Sequence, residues 1–357
     1  MVGMTASSLL SVATALPPHR LPQVEAARLA GAMFGGRFPN YRRMARVFET
    51  TGIEARHLVQ PPDWYATALD WPERMRAYLE GAERLFIAAA EKAIAASGCR
   101  PCDIDTIVTI SSTGIATPSL EARVAGRLGF RADVLRVPVF GLGCAGGVSG
   151  LAIASRLAEA RPGTTVLMVA VEICSIAFRL DQLTKANIVA TALFGDGAAA
   201  CVVRAADKDV AGGGIAAIEG AAQHTWPDTL DIMGWKVDQV GLGVIFDRDI
   251  PPFVLEHVGP ALDTMLAGMK IERGAIDRFA CHPGGTKVIA ALEQALHLDQ
   301  GALDHERQVL ADCGNMSAPT VLFVLDRLIA SGLPSRTVMT AMGPGFTCGA
   351  LSLARAA

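Results

Sequence analysis

The sequence predicts an α/β fold built of two related halves, and two observations carry this. Strand-like and helix-like patterns alternate from Leu9 to the end of the chain, as they do where helices cover the faces of a sheet. The two halves also repeat one arrangement. Cys144 opens a helical pattern that ends at ARPG before the apolar run TTVLMVAV, and Asn315 opens one that ends at ASGLPSR before TVMTAM. Cys144 and Thr165 lie 21 residues apart, Asn315 and Thr337 lie 22 apart. Each half then closes on a glycine turn and a strand, LFGDGAAACVVR and PGFTCGALSLAR. A pseudo-twofold axis between the halves would let Cys144 and Asn315 face each other; the alternative is chance spacing in an ordinary α/β protein.

The elements follow in chain order. SSLLSVATALP reads as a first strand, and ERLFIAAAEKAIAASG (Glu83–Gly98) as a helix closed by glycine. IDTIVTISSTG is a buried strand running into a loop, and SLEARVAGRLGF is helical, with Pro118 and Ser119 at its start. VLRVPVFGLG is extended, VSGLAIASRLAEA helical, and TTVLMVAVEI nearly all apolar, as a strand covered on both faces should be. NIVATALFGDGAAACVVR holds a glycine turn before another apolar strand. Charge and glycine in ADKDVAGGG (Ala206–Gly214) predict a linker, which sets the halves at 1–210 and 211–357. Beyond it come VGLGVIFDRDIP, the long helix PFVLEHVGPALDTMLAGM, strand DRFACHPGG, helix TKVIAALEQALHL, loop VLADCGNMSAPT, helix VLFVLDRLIASG and strand TVMTAMGPG.

Composition bounds the function. The 357 residues are 51% hydrophobic and 6% aromatic, which supplies a large aliphatic core. The net charge is −3, with no long basic stripe, so nucleic acid is an unexpected partner. The N-terminal stretch lacks the basic start and longer apolar core of a secretory signal. No uninterrupted apolar run reaches about 18 residues. The expectation is a cytoplasmic chain without a transmembrane segment, its eight cysteines held as thiols. CRPC (Cys99–Cys102) has redox or metal spacing but no second pair, so a structural role is expected.

Three segments carry chemistry. GLGCAGG places Cys144 where a strand ends and a helix starts; unpaired N–H groups and the positive end of the helix dipole favour thiolate there. Gly141, Gly143, Gly146 and Gly147 let the backbone turn and approach a substrate carbonyl, as in a nucleophile elbow. A lone cysteine reads equally as a small buried hydrophobe. FACHPGG puts His282 directly after a strand, and GNMSAPTVLFVL puts Asn315 before an apolar helix. Packing explains such a histidine, and N-capping such an asparagine. Cys, His and Asn together at strand–helix switch points suggest a convergent site.

The series GCAGG, LFGDGAAA, HPGG, GNMSAPTVLFVLD and GPGF, in that order, resembles the thiolase-fold condensing enzymes, and most closely the type III polyketide synthases, the chalcone-synthase-like family. The resemblance spans essentially the whole chain. It implies a thiolase-like αβαβα layered fold with two pseudo-symmetric halves, a homodimer, and a Cys–His–Asn triad of Cys144, His282 and Asn315. It implies acyl transfer to Cys144 from an acyl-CoA or acyl-ACP starter, then decarboxylative condensation with malonyl-CoA. His282, cationic beside the thiolate, would depress the cysteine pKa, and His282 and Asn315 would hold the enolate oxygen. No metal and no cofactor is implied. Phe194 matches a gatekeeper aromatic. Arg43, and with it Arg46, matches the basic segment that meets CoA phosphates, with Gly284 of HPGG beside the thioester. Ser317, Gly345 and Phe346 fall near the cavity floor.

Departures from the plant pattern point to the substrate. Val244 stands where a second gatekeeper phenylalanine is expected, Cys174 and Ala177 replace cavity threonines, and Thr117 replaces a methionine that crosses the dimer interface. These changes favour a long apolar starter, since each buried methylene contributes about 0.8 kcal/mol. DIMGWKV resembles bacterial members that make alkylresorcinols or alkylpyrones, with Trp235 where cavity shape steers aldol ring closure. The rivals are a β-ketoacyl-ACP synthase III, which condenses once, and a non-catalytic thiolase-fold partner subunit; the chain's length and its GPGF motif weigh against the first, the complete triad against the second.

Overall fold

The structure is a computed structural model that describes residues 7–38, 41–206 and 213–356. Most of the expected linker lies outside the described residues. The strands are β1 (Ser7–Ala15), β2 (His19–Pro22), β3 (Ala55–Leu58), β4 (Thr106–Ile110), β5 (Leu135–Val139), β6 (Thr165–Ile173), β7 (Asp196–Ala205), β8 (Ala216–Thr225), β9 (Met233–Val237), β10 (Leu242–Phe246), β11 (Arg278–Cys281), β12 (Arg336–Gly343) and β13 (Thr347–Arg355). The helices are α1 (Gln23–Phe34), α2 (Tyr41–Met44), α3 (Val47–Thr50), α4 (Trp71–Ala96), α5 (Leu120–Leu128), α6 (Gly146–Ala160), α7 (Lys185–Leu193), α8 (Ile250–Met269), α9 (Thr286–Ala295), α10 (Asp304–Cys313) and α11 (Pro319–Ala330).

Nine strands are hydrogen-bonded in the order β11-β12-β13-β8-β1-β7-β6-β4-β5. The duplication is written in this order. β4 lies parallel to β6, β6 antiparallel to β7, and β7 antiparallel to β1. β11, β12, β13 and β8 repeat those three relations. The halves join where β1 meets β8 antiparallel, Ser8 opposite Ala217, so the local twofold passes through that pair. β6 is buried along its whole length, which is why TTVLMVAVEI contains no alternation.

The central helices explain the layering. α6 packs against β4, β6 and β7 of its own half and against β12 and β13 of the other; α11 packs against α6, β1, β7 and β11. Both therefore lie between the two halves of the sheet. Outside, α4 covers β1, β6 and β7, while α8 covers β8 and carries α9 on its flank. The result is the αβαβα layering, with its aliphatic core around α6 and α11.

Two expected boundaries move. The helix expected from Glu83 begins at Trp71, because Asp70 and Glu73 form a reciprocal capping box, at 2.8 and 3.0 Å, ahead of a polar first turn. The segment expected as the loop VLADCGNMSAPT starts inside α10, which runs to Cys313 and ends at Gly314 with φ +70°. No helix among the described residues is long and apolar enough to cross a membrane.

Candidate active site

Cys144 lies in the tight turn Gly143–Ala145 that leads into α6. The turn is held from β4's end: Ser112 Oγ accepts from the N–H groups of Gly141 (3.1 Å) and Gly143 (3.3 Å). Gly143 has φ +49°, and a Cβ there would lie 2.6 Å from Pro344 Cδ, so the GPGF turn closes directly over the cysteine turn.

His282 follows β11, its N–H donating to Thr340 O of β12 at 2.8 Å. Asn315 does not open α11, which starts four residues later at Pro319. Its backbone instead forms a bridge with Phe194, and its side chain is left free to organise the pocket. Oδ1 accepts from Ser317 N–H at 2.8 Å, and Nδ2 donates to Gly284 O at 3.3 Å. Ser317 adopts φ +59°, a left-handed conformation that the Asn315 turn holds in place. Thr320, in the first turn of α11, ties down the loop before the helix, accepting from Met316 N–H and donating to Ser317 O.

Cys144, His282, Gly284, Asn315 and Phe346 line one pocket of about 300 Å³. Burial pushes the Cys144 thiol up to about 11; the Ser317 and Asn315 side chains oppose this, while the Glu172 charge adds to it. Burial alone pushes His282 down to about 3, and neither ring nitrogen has a hydrogen-bond partner. Burial thus opposes charge on both groups, against the thiolate beside a cationic imidazole that the sequence suggests. The dipole at a helix N-terminus offers about 0.3–1 kcal/mol, up to about 2 kcal/mol in favourable geometry. That does not offset taking both charges out of water.

A second, apolar pocket is lined by Cys174, Ala177, Phe194, Ala30, Met33 and Leu58 among others; Phe194 links it to the first through its backbone bridge with Asn315. Cys174 feels the Cys144 charge: burial first, then the Glu172, Asp196 and Cys144 charges, raise its pKa well above the usual range. Phe194 sits at the end of α7 and meets Trp235 edge-on, ring centroids 6.2 Å apart at 65°. Trp235 pairs with Val244 across the β9–β10 hairpin.

The remaining expected positions fall elsewhere. Val244 lines neither pocket; Met233 and Phe246, at the other end of the same hairpin, line the Cys144 pocket instead. Gly345 lines neither, because it forms the β12–β13 turn at φ +128° with its backbone against Thr347 and Thr225. Thr117 is exposed on the loop between β4 and α5 and reaches neither pocket within this chain. Arg43 and Arg46 are exposed on and after α2 and line neither.

Glu172 escaped the sequence reading. It is fully buried at the end of β6, its carboxylate accepting from Ser112 N–H at 3.0 Å and Thr113 Oγ1 at 2.7 Å. Burial pushes it up to about 8 against those hydrogen bonds. The signal was there: one acid in an otherwise apolar strand two residues before Cys174.

Models of the chalcone and stilbene synthase N-terminal and C-terminal domains match residues 5–207 and 217–355. The chain belongs to the chalcone and stilbene synthase family, the type III polyketide synthases. It is 40% identical over 343 residues to a 1,3,6,8-tetrahydroxynaphthalene synthase of Streptomyces peucetius subsp. caesius, covering 95% of this chain and 91% of that one. It is 34% identical over 350 residues to a putative chalcone synthase of Bacillus subtilis, covering 95% and 96%. The crystal structure of the Streptomyces coelicolor A3(2) tetrahydroxynaphthalene synthase superposes with a TM-score of 0.92 at 27% identity, over 98% of this chain and 99% of that one. Type III polyketide synthases are acyltransferases that catalyse Claisen condensations of CoA thioesters, so the single-condensation and scaffold alternatives give way.

Proposed function

We propose that this type III polyketide synthase loads a long-chain acyl group on Cys144, extends it with malonyl-CoA and cyclises it to an alkylresorcinol or alkylpyrone. The apolar pocket that Cys174, Ala177 and Phe194 line supports the long chain, which its hydrocarbon walls suit.

The neutral pair defines the chemistry. The His282 ring accepts the Cys144 thiol proton as sulfur attacks the thioester carbonyl. CoA leaves as thiolate and takes up that proton. Malonyl-CoA then loses carbon dioxide, and the electrons of the broken C–C bond form an enolate. Asn315 Nδ2 and a His282 N–H donate to its oxygen. The enolate carbon attacks the acyl carbonyl, and the C–S bond to Cys144 breaks with its electron pair left on sulfur; the thiolate takes a proton from solvent to restore the thiol. These steps run through side chains alone, with no metal or redox cofactor. Arg43 and Arg46, exposed near α2, suit the CoA phosphates. The exposed apolar residues Ile115, Leu135 and Phe140 around the β5 edge suit a homodimer, with Thr117 on the same face.

A second reading has a specific support. The 40% identical relative is a tetrahydroxynaphthalene synthase, a maker of a small aromatic product. Incubation with malonyl-CoA and acyl-CoAs from acetyl to stearoyl, with products identified by mass, separates the two. Alkyl-tailed pyrones or resorcinols with long starters support the first. Rapid formation of tetrahydroxynaphthalene from malonyl-CoA alone, with no turnover of long acyl-CoAs, establishes the second.

A further inference from the structure

Arg56 lies in β3 beneath the turn that joins α7 to β7, and 2% of it is exposed. A cation so buried ordinarily needs a carboxylate in contact. Here its terminal nitrogens donate to the carbonyl oxygens of Thr191, Ala192 (2.9 Å) and Phe194 (3.4 Å) and to Gln23 Oε1. The Thr191 and Ala192 carbonyls belong to the last turn of α7 and Phe194 follows it as the C-cap, where helix acceptors are unpaired and the dipole is negative. Burial draws Arg56 down to about 9, and the charge of Asp196 opposes this.

The same turn holds Asn315. Its N–H donates to Leu193 O at 2.8 Å, and its carbonyl accepts from Gly195 N–H at 3.0 Å. The junction has no slack: a Cβ on Gly195 would lie 2.6 Å from Cys313 O and 3.2 Å from Arg56 Cβ. Gln23 extends the connection. Its Nε2 donates to Thr51 Oγ1 at 3.0 Å and Ala192 O at 3.1 Å, and Thr51 O accepts from Thr286 Oγ1 in the segment that follows His282 and Gly284.

We propose that Arg56 is a positioning residue of the condensation, fixing the α7–β7 turn and through it the placement of Asn315 and Phe194 against Cys144. It acts on the decarboxylative step and on chain length, and not on the loading of Cys144. This rests on the roles given above to Cys144, His282 and Asn315.

The test compares wild type with Arg56→Met, Arg56→Lys and Gln23→Leu. Acylation of Cys144 is followed by intact mass, malonyl-CoA decarboxylation by CO2 release, and products by chromatography. In Arg56→Met, acylation proceeds at the wild-type rate. Decarboxylation falls about a hundredfold, the loss a 1 Å misplacement brings, in kcat rather than KM. The product lengths broaden. Arg56→Lys recovers part of the rate, since an ammonium reaches some of these carbonyls but lacks the planar fork. Equal losses of acylation and decarboxylation, or a lowered melting temperature with unchanged products, overturn the inference. If Arg56→Met does not fold, Gln23→Leu decides: the same split supports the inference, and wild-type rates and products sink it. Wild-type turnover with no acyl group on Cys144 overturns the site reading and this inference together.

Discussion

Gly147→Ala tests whether the closeness of the two central helices sets the active site. Gly147 lies in the first turns of α6, three residues after Cys144, and faces α11 just after Asn315 and Ser317. An added Cβ would lie 2.4 Å from Ala318 O and 2.6 Å from Val321 Cγ1. Ala318 O is backbone and cannot swing aside, so ordinary contact requires α6 and α11 to part by about 1 Å. Overpacking of this kind costs about 1–3 kcal/mol, against a gain of about 1 kcal/mol from replacing glycine by alanine in a helix. The expected net is a loss of up to about 2 kcal/mol in urea denaturation. The separation opens between the thiol and the carboxamide, so kcat for malonyl-CoA consumption falls about a hundredfold. Gly126 supplies the control: it is exposed in α5 with nothing within 4 Å of a new Cβ. Gly126→Ala gains about 1 kcal/mol and leaves kcat unchanged. If Gly147→Ala gains stability as Gly126→Ala does and keeps full activity, the helices have room to spare and the reasoning fails.

Three further predictions follow from the pocket and its charges. With the Cys144 thiol raised to about 11, about one in a thousand is ionised at pH 8; its alkylation by iodoacetamide rises about tenfold per pH unit from 7 to 9, and a plateau below pH 7 would reveal a resting thiolate–imidazolium pair instead. Cys174→Phe fills part of the apolar pocket that Cys174 lines, so turnover of long acyl-CoAs drops while short starters persist; equal losses for both would show that the chain goes elsewhere. Glu172 has a folded pKa above its unfolded value, so its contribution to stability is full below about pH 4.5 and is lost as pH rises through about 8; at most about 5 kcal/mol is at stake, and Glu172→Gln flattens the decline in thermal stability between pH 5 and 8, whereas a parallel decline places the titration at another group.

The duplicated fold was legible because it repeats a pattern of elements, and burial on both faces removes alternation from strands such as β6. That Cys144, His282 and Asn315 share one pocket was legible only from the three together at strand–helix switch points, since each alone reads as well as packing or capping. Asn315 was found for a partly mistaken reason. Its position suggested an N-cap, yet its backbone pairs with Phe194, a contact 121 residues away in sequence that only the tertiary structure supplies. The ionisation of the site was illegible for a similar reason: the sequence places a thiol at a helix start, but it does not tell how completely α11 and the GPGF turn bury it. Val244 and Gly345 were misplaced because a hairpin's twist and a turn's direction decide which of several adjacent residues reaches the pocket.

The neutral resting pair has a consequence for the order of events. A permanently ionised thiolate would react with any electrophile that entered a pocket built to receive reactive thioesters. In the proposed mechanism the proton leaves sulfur only when a carbonyl is in place to take the developing charge, with His282, both of whose nitrogens are unpartnered, as the base. Once sulfur is acylated, the imidazole is released from that task and can donate to the enolate oxygen alongside Asn315. In the proposed mechanism one buried histidine serves both half-reactions, because burial disfavours its charge until the substrate supplies the charge that makes protonation favourable.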